Sequence, residues 1–378
     1  MRIAIDGRAL TGKFTGDRTY WRGLLRALPA VAADDEIVVY SRAPIPEGEL
    51  EPGANLRATA IDSPSDRLWT MAALPAALRR DRADLVHVQY TTPPRMLCPC
   101  PIVTTVHDIS FKIHPEWFGR KDRLLLNLTV PASMRQAAHV ITDSESSRRD
   151  ILSAYGLAAD RVTAIPLGLP GGYEPTEGTD PPDAERAAKY GLTTPYVLAV
   201  GVLQPRKNLA MLCTAFGMAK REAGLPHVLA IAGKAGWQTE LETLREAARA
   251  GGGEAAARAL AFPGYVEDED LPALYRRADA FAYPSLYEGF GLPPIEAMAC
   301  GTAVLVSDAP ALPEVVGGAA RIVPARDPVA WRNALIELLT DADERRRLAA
   351  LGPARAACFT WQATASATMR VYEAAARG

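Results

Sequence analysis

The residues of this chain best suited to chemistry fall in three short runs of its second half. At 205–208 the sequence reads PRKN, so Arg206 and Lys207 stand side by side between an apolar stretch and a helical one. Two adjacent cations in such a place suit a diphosphate. They neutralise its charge and stabilise the further charge that grows on it when a bond to it breaks. The second run, YEGFGLPPIEAMACG at 287–301, has Gly289 and Gly291 where backbone can approach a ligand closely, and prolines where a helix opens. A helix opened by proline leaves neighbouring amides free for a phosphate. The same run carries two carboxylates eight positions apart, Glu288 and Glu296. A carboxylate repels phosphate and accepts hydroxyls, so this pair fits a ribose diol and a sugar ring. The third run, SDAPALPE at 307–314, reads either as a further wall of the same site or as an ordinary capped turn.

Something must hold these runs together. Short apolar segments rich in β-branched residues alternate with longer helical patterns along the whole chain, the rhythm of parallel sheets with crossover helices. In the first half the pattern predicts strands at 2–6, 36–40, 56–61, 85–89, 102–107 and 140–143. Helices are expected at 19–28, 67–79, 121–135 and 146–155. From 165 to 195 the composition turns to Pro, Gly, Thr and Asp, which marks a domain boundary. Strands resume at 196–200, 228–232, 259–262, 280–283, 303–306 and 320–323, with helices at 209–222, 240–250, 271–277, 294–299 and 328–339. The three chemical runs each follow one of these strands, and ligands of open parallel sheets bind beyond the strands' carboxyl ends. The expected layout is a first Rossmann-like domain at 1–170, a linker at 171–195 and a second such domain at 196–360. The Ala-rich terminal helix from 361 names no packing partner of its own.

A length of 378 residues agrees with two cores, at roughly 150 residues per domain. The 42 basic and 44 acidic residues sum to −2. No global positive field exists to gather nucleic acid, so none is expected as a partner and any anion site must be local. The hydrophobic fraction of 48% and charged fraction of 23% are those of a soluble globular chain. No apolar run reaches about 18 residues and no signal-peptide pattern opens the sequence, so a cytoplasmic setting is expected. The five cysteines are an odd count, and Cys98 and Cys100 are too close for the usual zinc spacing. They read as reduced structural thiols.

Taken together, the runs resemble the retaining glycosyltransferases of family 4, also called group 1. The resemblance spans nearly the whole chain, and the spacing of Glu288 and Glu296 within 287–301 is its most specific part. PRKN at 205–208, GKAGW at 233–237 and LPEVV at 312–316 support it. In the first half DGRAL at 6–10, VHDISF at 106–111 and HPEWF at 114–118 look like the mannosyltransferase-type branch. The resemblance implies an α/β protein of the GT-B fold: two facing Rossmann-like parallel-sheet domains with an interdomain cleft, acceptor on the first and donor on the second. It also implies that the terminal helix, 361–378, packs back on the first domain. The implied reaction is a retaining, metal-independent transfer of a hexosyl unit from a nucleoside diphosphate sugar, with no cofactor. GDP-mannose is the favoured donor, rhamnose and glucose donors come next, and the acceptor is a sugar, a glycolipid or a small molecule.

By position, the resemblance sets Glu288 against the transferred sugar and Glu296 against the ribose. Arg206 and Lys207 clamp the diphosphate, aided by amides of Gly291 and Leu292, with Gly289 and Phe290 in the same donor loop. Gly16 lets a first-half loop approach that diphosphate, His107 lies near the sugar at the reacting centre with Asp108 beside it, and Val266 offers backbone to the base. The chain departs from the branch at one place. Members carry Gly-x-Gly-Arg-Tyr after the first strand, whereas GDRTY at 16–20 has Arg18 in place of the second glycine. A charged side chain there would add a ligand or obstruct one, and an altered donor or acceptor pocket is expected.

Other signals have plainer readings. The acids EDED at 267–270 open a helix, where capping explains them and the cations 206 and 207 make a metal unnecessary. Ser144, in DSESS at 143–147, is both a helix cap and, with Asp108 and Arg18, an acceptor-side candidate. His87, His114, His139 and His227 lack the paired spacing of metal ligands. RKDRLLL at 120–126 reads as a core-facing helix with a wet flank, or as a peripheral membrane contact. A sugar-nucleotide epimerase on the same architecture and a non-catalytic nucleotide-sugar-binding subunit remain as alternatives, the latter supported by Arg18 alone.

Overall fold

A computed structural model of the chain describes residues 1–12, 16–50, 53–175, 181–234, 236 and 240–377. Trp237 of the GKAGW run and the part of the expected linker at 176–180 lie outside the described residues. The chain divides into two compact units, Met1–Gly168 with Phe359–Gly378, and Leu169–Cys358.

The first unit is built on a parallel seven-stranded sheet of order β3–β2–β1–β4–β5–β6–β7. Its strands are β1 (Arg2–Asp6), β2 (Glu36–Ser41), β3 (Leu56–Ala60), β4 (Leu85–Gln89), β5 (Ile102–Thr105), β6 (His139–Thr142) and β7 (Val162–Ala164). Ile3, Ala4 and Ile5 of β1 and Ile37, Val38 and Val39 of β2 are buried, as continuous apolar runs must be in a sheet covered on both faces. The three-residue edge strand β7 is too short to show a period and was not predicted. The helix expected at 67–79 is broken: Asp66–Leu68 and Leu74–Arg80 flank a π-helical turn, Trp69–Ala73. That turn carries buried Trp69, whose indole N–H donates to Asp6 Oδ1 at 3.2 Å at the end of β1.

The terminal helix Trp361–Arg377 packs on the helix Gly16–Val31. A Cβ at Gly23 would lie 2.0 Å from the Trp361 ring, and one at Gly168 would lie 2.3 Å from the Trp361 amide nitrogen. These two glycines therefore form the socket for Trp361. Further along the helix, His87 bridges Tyr372 Oη at 2.6 Å and Thr105 Oγ1 at 2.7 Å. Burial pushes the His87 pKa down to about 3, so the ring is neutral, with one nitrogen donating and the other accepting.

The second unit holds a parallel six-stranded sheet of order β10–β9–β8–β11–β12–β13. The strands are β8 (Tyr196–Val200), β9 (Val228–Ala232), β10 (Leu260–Gly264), β11 (Ala280–Tyr283), β12 (Val304–Ser307) and β13 (Arg321–Val323). The stretch read as a linker contains a helix, Pro181–Lys189, packed on the helix Leu271–Arg277. Asp183 pairs with Arg276 through two contacts of 2.5 and 2.7 Å. Lys189 Nζ and Tyr190 Oη each donate to Asp270 at 2.7 Å. The helix escaped the pattern because ion pairs and alanines, rather than a stripe of large apolar residues, hold it. The same contacts correct the reading of 267–270: the Asp270 side chain anchors this helix and does not cap the next one.

Candidate functional site

Strand order reverses between β8 and β11 in the second unit, and the loops leaving β8, β11 and β12 are laced together beside that point. Pro205–Lys207 makes one 3-10 turn, and Asn208 follows in the left-handed region at φ 55°, which Asn tolerates better than most residues. Asn208 Nδ2 donates to the carbonyls of Pro284 at 3.1 Å and Ala325 at 2.7 Å. The Leu286 amide donates to Arg206 O at 2.8 Å, and Ser307 Oγ donates to Ser285 O at 2.5 Å. Residues separated by a hundred positions thus share one rigid platform.

Arg206, Lys207 and Glu288 meet on it. Lys207 Nζ lies 2.7 Å from Glu288 Oε1, and Arg206 Nη1 lies 2.6 Å from Glu288 Oε2. Lys207 Nζ also donates to Tyr283 Oη at 2.5 Å and sits 4.6 Å from the centre of that ring, a cation–π contact. Burial works against ionising Glu288, but the two cations outweigh it and hold its pKa down at about 2. Glu288 is therefore no surface acid but the counter-ion of both cations.

Glu296 is placed apart from this cluster, within the buried helix Leu292–Ala299, where it accepts from Tyr275 Oη at 2.9 Å. Burial lifts its pKa to about 7 against the opposing hydrogen bond from Tyr275. The two carboxylates of one motif therefore have opposite characters, one fixed as an anion and one poised to titrate. Between them Gly289 and Phe290 are buried, and Gly291 has φ 120°; a Cβ at Gly291 would come 2.7 Å from Leu312 Cδ2. Only glycine turns the loop there while the helix Leu312–Val316 stays packed, and Leu292 then opens the helix that bears Glu296. Val266 is buried in the turn after β10.

In the first unit His107 and Asp143 come together because β5 and β6 are neighbours. Thr105 pairs with Ile141, so the residues two positions further along each chain emerge side by side. His107 Nδ1 lies 2.7 Å from Asp143 Oδ2, and Nε2 lies 3.7 Å from Asp17 Oδ1. Gln89 Nε2 stands 3.0 Å from His107 Nε2, and the rings of Tyr20 and Tyr90 meet the imidazole edge-on at 5.0 and 5.7 Å. Burial opposes protonation of this ring, but Asp143, Asp17 and Asp108 reverse that and raise its pKa to about 9. Once the ring is protonated, Gln89 must turn its amide so that its oxygen accepts from Nε2–H.

The remaining first-unit candidates are mostly structural in their contacts. Asp108 Oδ1 accepts from the Ser110 amide at 2.8 Å, and Ser144 caps the helix Glu145–Tyr155 by accepting from the Ser147 amide at 3.0 Å. Gly16 starts its helix with open space where a Cβ would stand. Arg18 is corrected from a loop cation to a buried strut: Nε and Nη2 reach Glu49 Oε2 and Oε1 at 2.9 and 2.7 Å. Sequence reasoning missed Tyr283, Gln89 and Asp17, and it met Asp143 only as part of the run at 143–147, not as the partner of His107. Only the pairing of β5 with β6 could have pointed to Asp143. The helix Arg120–Gln136 sets Val130 and Met134 in the core with Leu126 packed against it, while its wet flank exposes Leu124, Leu125 and Leu128 beside Arg120, Lys121 and Arg123.

Known proteins share this plan. The family described as glycosyl transferases group 1 matches residues 183–355, and glycosyltransferase family 4 matches residues 15–170. The O-antigen chain mannosyltransferase B of Escherichia coli is 34% identical over 272 residues, which are 72% of this chain and 70% of that protein. Among solved structures, sucrose-phosphate synthase of Thermosynechococcus elongatus superposes with a TM-score of 0.75 at 23% identity, covering 99% of this chain and 98% of that one. HepE of Anabaena, solved with UDP and glucose, gives 0.74 at 21% identity, with 99% and 100% covered. The structural likenesses establish the GT-B fold for the two parallel-sheet units. The sequence relationship carries the rest: with both halves matched and its cations and paired glutamates in place, this chain belongs to the group 1 glycosyltransferases of family 4.

Proposed function

We propose that the protein moves a mannosyl unit from a nucleoside diphosphate sugar to an acceptor hydroxyl during polysaccharide assembly, retaining the anomeric configuration and using no metal. The observation that carries this reading is the cluster of Arg206, Lys207 and Glu288 at the point of strand reversal. Its two cations, one of them buried, supply the positive charge that a departing diphosphate requires, which is the role a divalent ion plays elsewhere. Mannose as the sugar is supported by the Escherichia coli relative's function, and a nucleoside diphosphate donor by the UDP bound in HepE. Glu296, held by Tyr275, accepts from the ribose hydroxyls, while the first unit with His107 serves the acceptor.

Retention by double displacement needs a free carboxylate nucleophile on the sugar. Glu288 fits that poorly, since both its oxygens are held by cations and its low pKa makes it a weak base. Front-face attack is favoured: the acceptor oxygen bonds to the anomeric carbon as the diphosphate leaves, and the departing phosphate oxygen takes the acceptor's proton. Positioning and fixed charge then supply most of the rate. The alternative of a non-catalytic subunit loses its one support, because Arg18 is tied to Glu49.

Among the described residues no helix is long and apolar enough to cross a membrane. The leucines 124, 125 and 128, flanked by cations, support peripheral contact with an anionic bilayer through the helix Arg120–Gln136. The deciding experiment for the reaction supplies GDP-mannose, UDP-glucose and dTDP-rhamnose with acceptor glycosides, with and without EDTA, and follows nucleoside diphosphate release and the product's anomeric proton. Release from none of the donors, loss of activity with EDTA, or an inverted product would each remove part of the reading.

A further inference from the structure

Strand order in the first unit reverses between β1 and β4, and beyond the carboxyl ends of β1 to β4 lies a cavity of about 560 Å³, within the ~300–1,000 Å³ usual for small-molecule sites. It abuts the reacting-centre histidine. Gln89, Tyr90 and Asp17 line the cavity and are also three of the residues packed around His107. Tyr90 holds φ 55°, a conformation rare for an aromatic residue and concentrated at functional sites.

The charged groups of the lining are unequal. Arg8 is locked to Asp6, with Nε 3.0 Å from both carboxylate oxygens and Nη2 2.7 Å from one of them. Arg42 is locked to Asp66 at 2.7 Å and to the Ser63 carbonyl at 2.7 and 3.1 Å. Each guanidinium thus has its own carboxylate in the wall. Asp17 lies 3.7 Å from His107, whose nearest anion is Asp143 at 2.7 Å, and Asp62 remains; with His107 and Asp143 included, the described walls hold five carboxylates against three cations. The sequence places one more cation, Lys13, between Gly12 and Gly16, and the acidic excess outlasts it.

We propose that this cavity takes an uncharged, hydroxyl-rich end of the acceptor and excludes acceptors that carry phosphate, sulfate or a uronate there. Carboxylates accept hydroxyl protons in pairs, and a fixed guanidinium edge donates to ring and hydroxyl oxygens, so a neutral polyol satisfies the walls as they stand. An anion meets net repulsion and gains a cationic partner from Arg8 or Arg42 only by breaking a formed ion pair. This inference rests on the glycosyl-transfer reading, since the acceptor is what a cavity beside His107 receives.

The test uses the full chain with whichever donor it accepts and matched acceptors, methyl α-mannoside and its 6-phosphate, myo-inositol and inositol 3-phosphate. The neutral member of the better pair is expected to show kcat/KM about tenfold or more above its phosphorylated twin. Asp62→Arg, at an exposed position of the lining, is expected to narrow that ratio by about fivefold or more without changing donor affinity. A wild-type preference for the phosphorylated member, or a ratio that Asp62→Arg does not move, overturns the proposal. Donor binding with slow hydrolysis but no use of either neutral acceptor overturns it while leaving glycosyl transfer standing. Failure to bind or cleave any donor removes both.

Discussion

Lys207 and Glu288 face each other across 2.7 Å with both side chains more than nine-tenths buried. The carboxylate holds the ammonium in place before a donor arrives. Preorganisation of this kind lets a charge stabilise the transition state without reorganising at the moment of reaction. Lys207→Ala should lower kcat by on the order of a hundredfold, the usual loss for one fixed charge stabiliser, with the folded state checked by circular dichroism. A kcat near that of the wild type would deny Lys207 its role.

Glu296 should make donor binding depend on pH. Its pKa near 7 means that the carboxylate, the form that accepts two ribose hydroxyls, gains population as pH rises from 6 to 8. The donor KM should fall over that range, and Glu296→Gln should flatten the dependence while changing kcat less than KM. Stability moves the other way. The folded-state pKa lies above the ordinary 4.5, so the native protein keeps this proton to higher pH than the unfolded chain does. The associated stability is complete below about 4.5 and is lost as pH climbs through 7. Thermal melts should therefore show Glu296→Gln more stable than the wild type at pH 8, by on the order of 1–3 kcal/mol, and close to it at pH 5. No gain at pH 8 would contradict the burial cost.

His107 should be an imidazolium at neutral pH because Asp143 faces it. Its pKa, raised from 6.5 to about 9, adds stability that is full below 6.5 and vanishes as pH rises through 9. In Asp143→Asn the ring loses its nearest anion while its burial stays. Its pKa should drop to ~6.5 or below, read from the imidazole proton shifts in an NMR titration. A ring still titrating near 9 would assign the shift to other groups.

Much of this was legible in the sequence, and the rest failed for identifiable reasons. Arg206, Lys207 and Glu288 were readable because local spacing places them on loops that follow strands, and Glu296 because it lies on the helix that such a loop opens. The His107–Asp143 pair was not, since the two residues are 36 positions apart and only the register of β5 with β6 joins them. Arg18 misled because a cation beside a glycine loop looks like a ligand, whereas Glu49, which buries it, lies in a segment without periodic signal. Nor does hydrophobic pattern disclose a π turn such as Trp69–Ala73, which adjusts where one buried side chain lands.

The helix Arg120–Gln136 should govern membrane contact. Replacing Leu124, Leu125 and Leu128 by Gln removes exposed apolar area without touching a core. Flotation with vesicles rich in anionic lipid at low salt should be strong for the wild type and lost in the triple variant, with activity on soluble acceptors retained. Equal flotation of the two proteins, or none of either, would remove the proposed contact.

Trp361 in its glycine socket and Tyr372 on His87 set the order in which the protein can be made. During synthesis β1 to β7 leave the ribosome before Leu169–Cys358, yet the helix whose Tyr372 meets His87 is translated only after every residue of that segment. The first unit is thus completed only by residues translated after the whole of the second. Removing the helix Trp361–Arg377 would be felt in the unit that carries His107.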